Sequence, residues 1–230
     1  LIENIRFFKG EKENSKDLGT KLANLGDMYV FDAFGTAHRE QASTHSAIQN
    51  SSVACAGFLL ERENEFLSQA LNNYGSPYIA VIGGAKVSTK LELIKQINKV
   101  ADHIIVGGGI ANTFLKASGS DIGTSLVEDS MIDVAKELLD KGKIILPKKV
   151  ITSSTFEGAD IKETLADKVS NDEMILDLHL EEETISLIHN ANTILWNGPM
   201  GVFENEDFAK GTKDLSEAIA RSSAFSLAGG

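Results

Sequence analysis

Short apolar runs alternate with longer stretches of helical periodicity along most of the chain. A strand buried on both faces is apolar throughout, whereas a helix repeats its apolar positions every three to four residues, so this alternation predicts a parallel α/β sheet. The predicted strands cover residues 1–5, 28–31, 78–82, 103–106, 144–146, 150–153, 193–196 and 224–227. The predicted helices cover residues 16–25, 62–73, 86–100, 110–116, 128–139, 181–190 and 208–221. Residues 155–180 are acidic and weakly patterned, which predicts surface loops with one short strand.

One apolar stripe at helical spacing lies between residues 58 and 74, and Gly75-Ser76-Pro77 ends it. Its members are Phe58, Leu59, Phe66, Leu67, Ala70 and Leu71. A helix here would join an earlier lobe to a new βαβ array that starts at Tyr78. We therefore expect residues 58–74 to form an inter-domain helix.

The charge of the chain limits its partners. Over 230 residues the formal net charge is −11 at pH 7, which argues against nucleic acid or an anionic membrane as a general partner. Any basic site must therefore be local. No apolar run approaches the ~20 residues of a membrane span, and no signal peptide opens the sequence.

The single cysteine and the two ends give further expectations. Cys55 excludes an internal disulfide and fits a reducing compartment, and its neighbours Ala54 and Ala56 predict a small buried residue. The sequence starts without Met and ends on Gly229-Gly230 directly after a predicted strand. We expect it to be a piece of a longer protein.

Residues 83–90, Gly-Gly-Ala-Lys-Val-Ser-Thr-Lys, carry the strongest chemical signal. Two glycines follow a buried strand, and Lys86 and Lys90 lie four residues apart at the start of a predicted helix. Lysines in this place oppose the helix macrodipole, whose positive end is here. The pattern predicts an anion held by free backbone N–H groups and both ammonium groups. The segment does not fit the Walker A pattern G-x-x-x-x-G-K-[ST].

A second glycine-rich segment, residues 107–114, also follows a strand and opens a helix. Its three glycines leave the backbone accessible to a base or a phosphate, although a tight turn with close packing explains them equally well. The dinucleotide pattern G-x-G-x-x-G is not satisfied, because Asn112 occupies its last position. An NAD-dependent dehydrogenase is therefore disfavoured.

A third segment, residues 196–204, lies at the carboxyl end of a predicted strand, where open α/β sheets bind ligands. Gly198-Pro199 and Gly201 predict a rigid loop, and Glu204 could accept hydrogen bonds from sugar hydroxyls. Taken alone, an ordinary turn with a solvated Glu204 is the simpler interpretation.

The fourth segment, residues 32–39, combines with Arg6 to suggest a second anion site. Arginine guanidinium groups bind carboxylate or phosphate in bidentate fashion, so a convergence of Arg6, His38 and Arg39 would form a local anion pocket. Taken alone, surface arginines paired with nearby carboxylates explain the same residues. The remaining histidines lack metal-ligand spacing, and no protein metal site is predicted.

Together and in this order, these segments resemble those of phosphoglycerate kinases. The resemblance runs from residue 1 to residue 230 and rests on Leu-Ile-Glu-Asn-Ile-Arg-Phe (1–7), Asp-Ala-Phe-Gly-Thr-Ala-His-Arg (32–39), Ala-Gly-Phe-Leu (56–59), Gly-Gly-Ala-Lys-Val-Ser (83–88), Gly-Gly-Gly-Ile-Ala-Asn-Thr-Phe-Leu (107–115) and Trp-Asn-Gly-Pro-Met-Gly-Val-Phe-Glu (196–204). It implies an α/β protein of two Rossmann-like lobes with parallel sheets in a three-layer αβα arrangement, the N-terminal lobe being only partly present. Residues 1–57 would belong to the 3-phosphoglycerate-binding lobe, 58–74 to a hinge helix, and 75–230 to a nucleotide-binding lobe that is incomplete at its C-terminus.

The resemblance also implies a function. Phosphoglycerate kinases move a phosphoryl group reversibly between 1,3-bisphosphoglycerate and ADP, giving 3-phosphoglycerate and ATP in glycolysis. The chain would come from a monomeric, cytoplasmic phosphotransferase with a carboxyl acceptor, using Mg²⁺ with ATP or ADP and binding neither nucleic acid nor membrane. Positions matching the family's catalytic residues are Arg6, Lys86 and Lys90, and those matching its 3-phosphoglycerate contacts are Arg6, His38 and Arg39. Positions matching its nucleotide contacts are Gly84, Ala85, Lys86, Lys90, Gly107, Gly108, Asn197, Gly198, Pro199, Val202, Glu204 and Gly230.

Two positions depart from the family's pattern. Thr89 stands where many members carry an Asp that helps to place the metal, although some bacterial members also read Ser-Thr, and Phe31 replaces a common Asn. Thr89 cannot bring a negative charge, so we expect no Mg²⁺ ligand at this position. The alternative function is a non-catalytic nucleotide-binding fragment of the same fold. If these 230 residues are the whole molecule, we expect little or no turnover.

Overall fold

Strands and helices alternate along most of the chain, as the apolar pattern predicts, in a computed structural model that describes residues 3–72 and 74–229. The strands are β1 (Tyr29–Phe31), β2 (Ala54–Ala56), β3 (Tyr78–Ile82), β4 (His103–Val106), β5 (Ile144–Ile145), β6 (Lys149–Ser153), β7 (Lys162–Leu165), β8 (Met174–Leu178), β9 (Thr193–Asn197) and β10 (Phe225–Gly229). The α-helices are α1 (Lys16–Ala23), α2 (Ala47–Asn50), α3 (Phe58–Asn72), α4 (Val87–Val100), α5 (Gly108–Ala117), α6 (Ile132–Leu139), α7 (Glu182–His189) and α8 (Lys210–Arg221). Five short turns of 3₁₀- or π-helix accompany them among the described residues.

The chain divides into two compact units, Leu1–Gln69 and Ala70–Gly230, and the boundary falls inside α3. This helix is the one predicted from the apolar stripe between residues 58 and 74. Half of the stripe faces solvent, namely Phe58, Leu59 and Leu71, whereas Ala70 is buried. Among the described residues, no helix is both long enough and apolar enough to cross a membrane.

The larger unit is built on a five-stranded parallel sheet in the order β10-β9-β3-β4-β5. Its central strand, β3, is buried at all five positions, which explains why it is apolar without interruption. Ile82 ends β3 in register with Val106 of β4 and Asn197 of β9, so the loops that follow these three strands emerge side by side. The predicted parallel α/β sheet is confirmed.

Two apolar clusters cover the two faces of this sheet. Tyr78, Ala80 and Ile82 contribute to one cluster, together with buried residues of α4 and α5, while Ile79 and Val81 contribute to the other. Each buried Val or Ile side chain of β3 stabilises the fold by about 1.5–3 kcal/mol relative to an exposed one. The sheet with helices on both faces gives this unit its three layers.

A second sheet, in the order β7-β6-β8 and antiparallel throughout, corrects the predictions for this part of the chain. The apolar pattern places β6 in the parallel sheet and gives residues 155–180 one short strand, whereas the structure has two strands there. Acidic residues beside and within β8 interrupt the apolar pattern from which a strand would be predicted, but they are buried in the structure. Glu173 beside this strand is 4% exposed and bonds to Thr152 Oγ1 at 2.8 Å and to Lys162 Nζ at 2.5 Å.

The smaller unit holds a two-stranded parallel sheet, in which Tyr29 of β1 aligns with Ala54 of β2. The strand predicted for residues 1–5 is wrong in its described part, because Ile5–Phe7 form a 3₁₀ turn that starts where the Asn4 side chain accepts the Arg6 N–H at 3.1 Å. Residues 1 and 2 of that prediction lie outside the described residues. Cys55 is exposed rather than buried, because a sheet of two short strands covers little surface.

Candidate functional site

Backbone hydrogen bonds tie together the loops that follow β3, β4 and β9. The Gly83 N–H donates to Asn197 O at 2.9 Å, and the Gly108 N–H donates to Met200 O at 2.7 Å. The Ile110 N–H donates to Gly84 O at 3.0 Å. The three glycine-containing segments that the sequence singles out therefore form one cluster at the carboxyl edge of the sheet.

The glycines of this cluster allow the loops to pack on each other. A Cβ atom on Gly83 would lie 1.9 Å from Pro199 O, and one on Gly109 would lie 2.4 Å from Ala85 O. Gly107 is restricted to a lesser degree, because its Cβ would lie 2.9 Å from the Met200 Cα. For residues 107–109, close packing is thus the role that the structure supports, and the neighbouring N–H groups already bond to protein carbonyls.

Beside these loops lies a cavity of about 330 Å³, formed within the larger unit. Of the predicted nucleotide contacts, the cavity walls include Gly84, Ala85, Gly108, Pro199, Val202 and Glu204. The other predicted residues in the described part of the chain, Lys86, Lys90, Gly107, Asn197 and Gly198, border the loops without lining this cavity. Gly230 lies outside the described residues.

Much of the cavity wall was not foreseen from the sequence. The additional wall residues are Gly109, Asn112, Leu126, Phe156, Met174, Ile175, Leu176, Asp177, Leu178, Met200 and Gly201. Leu126 and Phe156 are 56% and 55% exposed and lie on irregular segments, so no periodicity in the sequence marks them as wall residues. An apolar slot with a carboxylate at its rim suits a flat ring that carries polar substituents.

The start of α4 already holds an anion, and the protein itself supplies it. The Glu128 carboxylate accepts the Ser88 N–H at 2.8 Å and also the Ser88 hydroxyl. These two bonds, with Lys86 nearby, lower the pKa of Glu128. The negative charge predicted at this helix end is therefore provided by a residue forty positions further along the chain.

The two lysines of the segment have different surroundings. Lys86 precedes α4 with extended backbone angles and is exposed, close enough to Glu128 to lower the pKa of that carboxyl. Lys90 is half-buried, and its ammonium group donates to Asn197 Oδ1 at the end of β9. The structure thus brings together Lys90 and Asn197, which belong to two separate predicted segments.

The smaller unit contains the three residues predicted to hold the second substrate. Arg6 lines a cavity of about 370 Å³ whose walls also contain the carboxylates of Glu11 and Asp32. His38 is exposed and Arg39 is half-buried, and neither of them lines this cavity. Within this unit the structure therefore does not gather the three side chains into one pocket.

Asp32 has a structural role that the sequence does not reveal. Its Oδ1 atom accepts the Leu60 N–H at 2.8 Å, which caps the first turn of α3. Gly57 allows this contact, since a Cβ there would lie 2.3 Å from the Asp32 Cγ. The acidic residue that opens segment 32–39 thus anchors the helix at the unit boundary.

Comparison with known proteins gives a consistent picture. The family model for phosphoglycerate kinase matches residues 1–230. The chain is 47% identical over 233 residues to the phosphoglycerate kinase of Vibrio campbellii and 49% identical over 233 residues to that of Haemophilus influenzae. In both alignments the whole chain is covered, and it spans 60% of the relative's length.

Solved structures agree with the sequence relatives. Phosphoglycerate kinase from Coxiella burnetii superposes with a TM-score of 0.89 at 45% identity, covering 99% of this chain and 62% of that one. The enzyme from Pyrococcus horikoshii gives a TM-score of 0.83 at 32% identity, with 99% and 61% covered. With the family model matched from the first residue to the last, the chain belongs to the phosphoglycerate kinase family.

Proposed function

We propose that this chain is part of a phosphoglycerate kinase, the whole of which transfers a phosphoryl group reversibly between 1,3-bisphosphoglycerate and ADP, giving 3-phosphoglycerate and ATP. The observation that carries the proposal is the apolar cavity at the carboxyl edge of the parallel sheet, with Lys90 held beside it by Asn197. Ligands of open α/β sheets bind at this edge. An apolar slot next to ammonium groups suits a molecule with a flat base at one end and phosphates at the other.

In this proposal the cavity takes the adenosine half of the nucleotide. The base is bordered by Gly84, Ala85, Gly108, Pro199 and Val202. Glu204 accepts hydrogen bonds from the ribose hydroxyls. Gly107 and Gly198 act indirectly, by allowing the loops around the cavity to pack closely. Gly230 is assigned to the same site on the family resemblance alone.

Lys86 and Lys90 neutralise the phosphates, with Asn197 orienting Lys90. Phosphoryl transfer depends on positioning and on neutralising charge more than on covalent participation by the protein. A half-buried ammonium group suits this role, because it is less screened by water than an exposed one. Arg6, together with Lys86 and Lys90, is assigned to catalysis.

The second substrate, 3-phosphoglycerate, carries a carboxylate and a phosphate, which guanidinium groups bind in bidentate fashion. We assign 3-phosphoglycerate binding to residues 1–57, with Arg6, His38 and Arg39 as its contacts. Residues 58–74 would act as a hinge and residues 75–230 as the nucleotide-binding part. We further propose that the enzyme is monomeric and cytoplasmic.

Mg²⁺ enters this scheme with the nucleotide. It is commonly held by substrate phosphates and one or two carboxylates rather than by an all-protein cage. Among the described residues, no three His, Cys, Asp or Glu side chains group as metal ligands. The Thr89 hydroxyl donates to Lys86 O at 2.8 Å and so is engaged with the backbone.

Isothermal titration of the 230-residue chain tests the nucleotide assignment. We expect ADP and adenosine both to bind, and Lys90→Ala to weaken ADP binding by about tenfold or more, because a hydrogen bond to a charged group contributes roughly 1.5–3 kcal/mol. Adenosine binding should not change, since adenosine has no phosphate. Lys95→Ala is the matched control: Lys95 lies on the same helix in an exposed pair with Glu92 at 3.2 Å. Equal losses for both variants, or no ADP binding by the wild type, would contradict the assignment.

A non-catalytic nucleotide-binding fragment is the second candidate, favoured by the fact that the chain spans 60% of its relatives' length. Titration with 3-phosphoglycerate separates the two candidates. Binding that is lost in Arg39→Ala supports the kinase, whereas no binding supports the fragment. In a coupled kinase assay we expect little or no turnover from these 230 residues alone, and normal activity would contradict that expectation.

A further inference from the structure

Asp177, on β8, is a buried carboxylate that the proposed reaction does not use. Its side chain is 1% exposed and forms part of the cavity wall. Oδ2 accepts the Gly211 N–H at 2.7 Å, in the first turn of α8. Oδ1 has no hydrogen-bond partner among the described residues. A buried carboxylate oxygen without a partner is costly, so its retention in a cavity wall points to a role.

Asp177 lies where β8, α8 and the loop of residues 198–204 meet. A Cβ on Gly201 would lie 2.3 Å from Oδ1, so the loop rests directly on the carboxylate. Two hydrogen bonds hold the loop on either side of this contact. The Val202 N–H donates to Leu176 O at 2.8 Å, and the Met200 N–H donates to Thr212 Oγ1 at 3.0 Å.

Few charges face this carboxylate. On α8, Lys210 and the half-buried Asp214 form an ion pair nearby, and on the loop Glu204 lines the same cavity. On the neighbouring strand β6 its partner is the uncharged Ile151. Burial raises the pKa of Asp177 to about 6, with Asp214 adding to the rise, while the Gly211 and Leu178 N–H groups and Lys210 limit it.

We propose that Asp177 is a positioning residue for the loop of residues 198–204, and that its carboxylate takes up a proton from solvent when a purine nucleoside fills the adjoining cavity. The inference rests on the proposed nucleotide site. A bound ring replaces the water that fills the cavity beside this wall and lowers the polarity around the buried carboxyl group, which favours its neutral form. Because binding and protonation then favour each other, nucleoside affinity increases as the pH falls through the titration range of Asp177.

Adenosine is the suitable probe, since it lacks a phosphate and keeps the same charge throughout the range. Titration calorimetry in two buffers of different ionisation enthalpy, at about pH 6.5, counts the protons taken up on binding. We expect the wild type to take up a fraction of a proton per adenosine and Asp177→Asn to take up none. Glu217→Gln, which removes one negative charge from the exposed pair with Arg221 on the same helix α8, should match the wild type.

A pH series on the wild type gives an independent readout. We expect adenosine affinity to rise by about three- to tenfold between pH 8 and pH 5, because a further pKa shift of half a unit to one unit corresponds to that factor. Asp177→Asn should remove this dependence while still binding adenosine.

The outcomes separate the inference from the function on which it rests. Adenosine binding with no proton uptake and no pH dependence would overturn the inference alone, as would uptake that persists in Asp177→Asn. Absence of adenosine binding at every pH would overturn the proposed nucleotide site and the inference with it. If Asp177→Asn fails to fold, the wild-type buffer comparison and pH series can still overturn the inference, because a lack of proton uptake and of pH dependence is seen without any variant.

Discussion

Replacing Gly83 by alanine should separate the loops that form the candidate nucleotide site. The new Cβ would lie 1.9 Å from Pro199 O and 2.7 Å from Gly198 O. Both atoms belong to the backbone, so no side chain can turn away to relieve the clash. Restoring ordinary contact requires a displacement of about 1.5 Å, the difference between 1.9 Å and the 3.4 Å at which such contact begins.

Overpacking of this kind costs about 1–3 kcal/mol. In a protein of this size each kcal/mol lowers the melting temperature by roughly 2–4 °C, so we expect a decrease of about 2–12 °C. The displaced loop carries Glu204 and Val202, and losing the contact that we propose between Glu204 and ribose should alone weaken adenosine binding by about tenfold or more. Thermal unfolding and adenosine titration measure the two effects.

Gly229→Ala is the matched control for this experiment. Gly229 ends β10, in the same sheet, and nothing lies within 4 Å of a Cβ placed there. We expect its stability to change by less than about 1 kcal/mol and its adenosine affinity to stay the same. If Gly83→Ala behaves like this control in both assays, the tight contact between the loops does not shape the site.

Two further predictions concern carboxylates. Glu128→Gln should lower the free energy of unfolding by about 0.3–1 kcal/mol at low salt, because it removes the negative charge at the start of α4, whereas Asp129→Asn, in an exposed pair with Lys116, should have little effect in the same urea titration. The lowered pKa of Glu128 means that its contribution is present at neutral pH and is lost as the pH falls, so the two variants should converge with the wild type in acid. Asp177 shows the opposite sign: its pKa is raised from 3.8 to about 6, so the wild type loses up to roughly 3 kcal/mol of stability relative to Asp177→Asn as the pH rises from about 4 through 6. If the difference in unfolding free energy between the wild type and Asp177→Asn stays constant from pH 5 to pH 8, the pKa of Asp177 is not raised in the folded protein.

The parallel sheet could be predicted because its central strands are buried on both faces. The predicted bounds of β3 and β4 match the structure, since nothing polar interrupts their apolar runs. The position of the site follows as well, because the loops after adjacent parallel strands must emerge at one edge. For the same reason, the three glycine-containing segments could be expected to meet.

The rest of the site depends on contacts between residues far apart in the sequence. Leu126 and Phe156 reach the cavity from irregular segments that have no periodicity to mark them. Glu128 lies forty positions after Ser88, so no local sequence pattern indicates that its carboxylate caps the start of α4. The sequence predicts one short strand within residues 155–180 but does not locate β8, because Asp177 interrupts its apolar run, although that carboxylate is buried against α8.

An NMR titration of the 230-residue chain with ADP tests the proposed nucleotide site residue by residue. We expect the largest amide shifts to cluster at Gly84, Gly108, Leu126 and Val202, which surround the cavity, and the Lys90 side chain to shift with them. Adenosine should reproduce the shifts around the cavity without the shift of Lys90. If saturating ADP leaves these residues unchanged, or shifts only residues remote from the cavity, the nucleotide does not bind at this site.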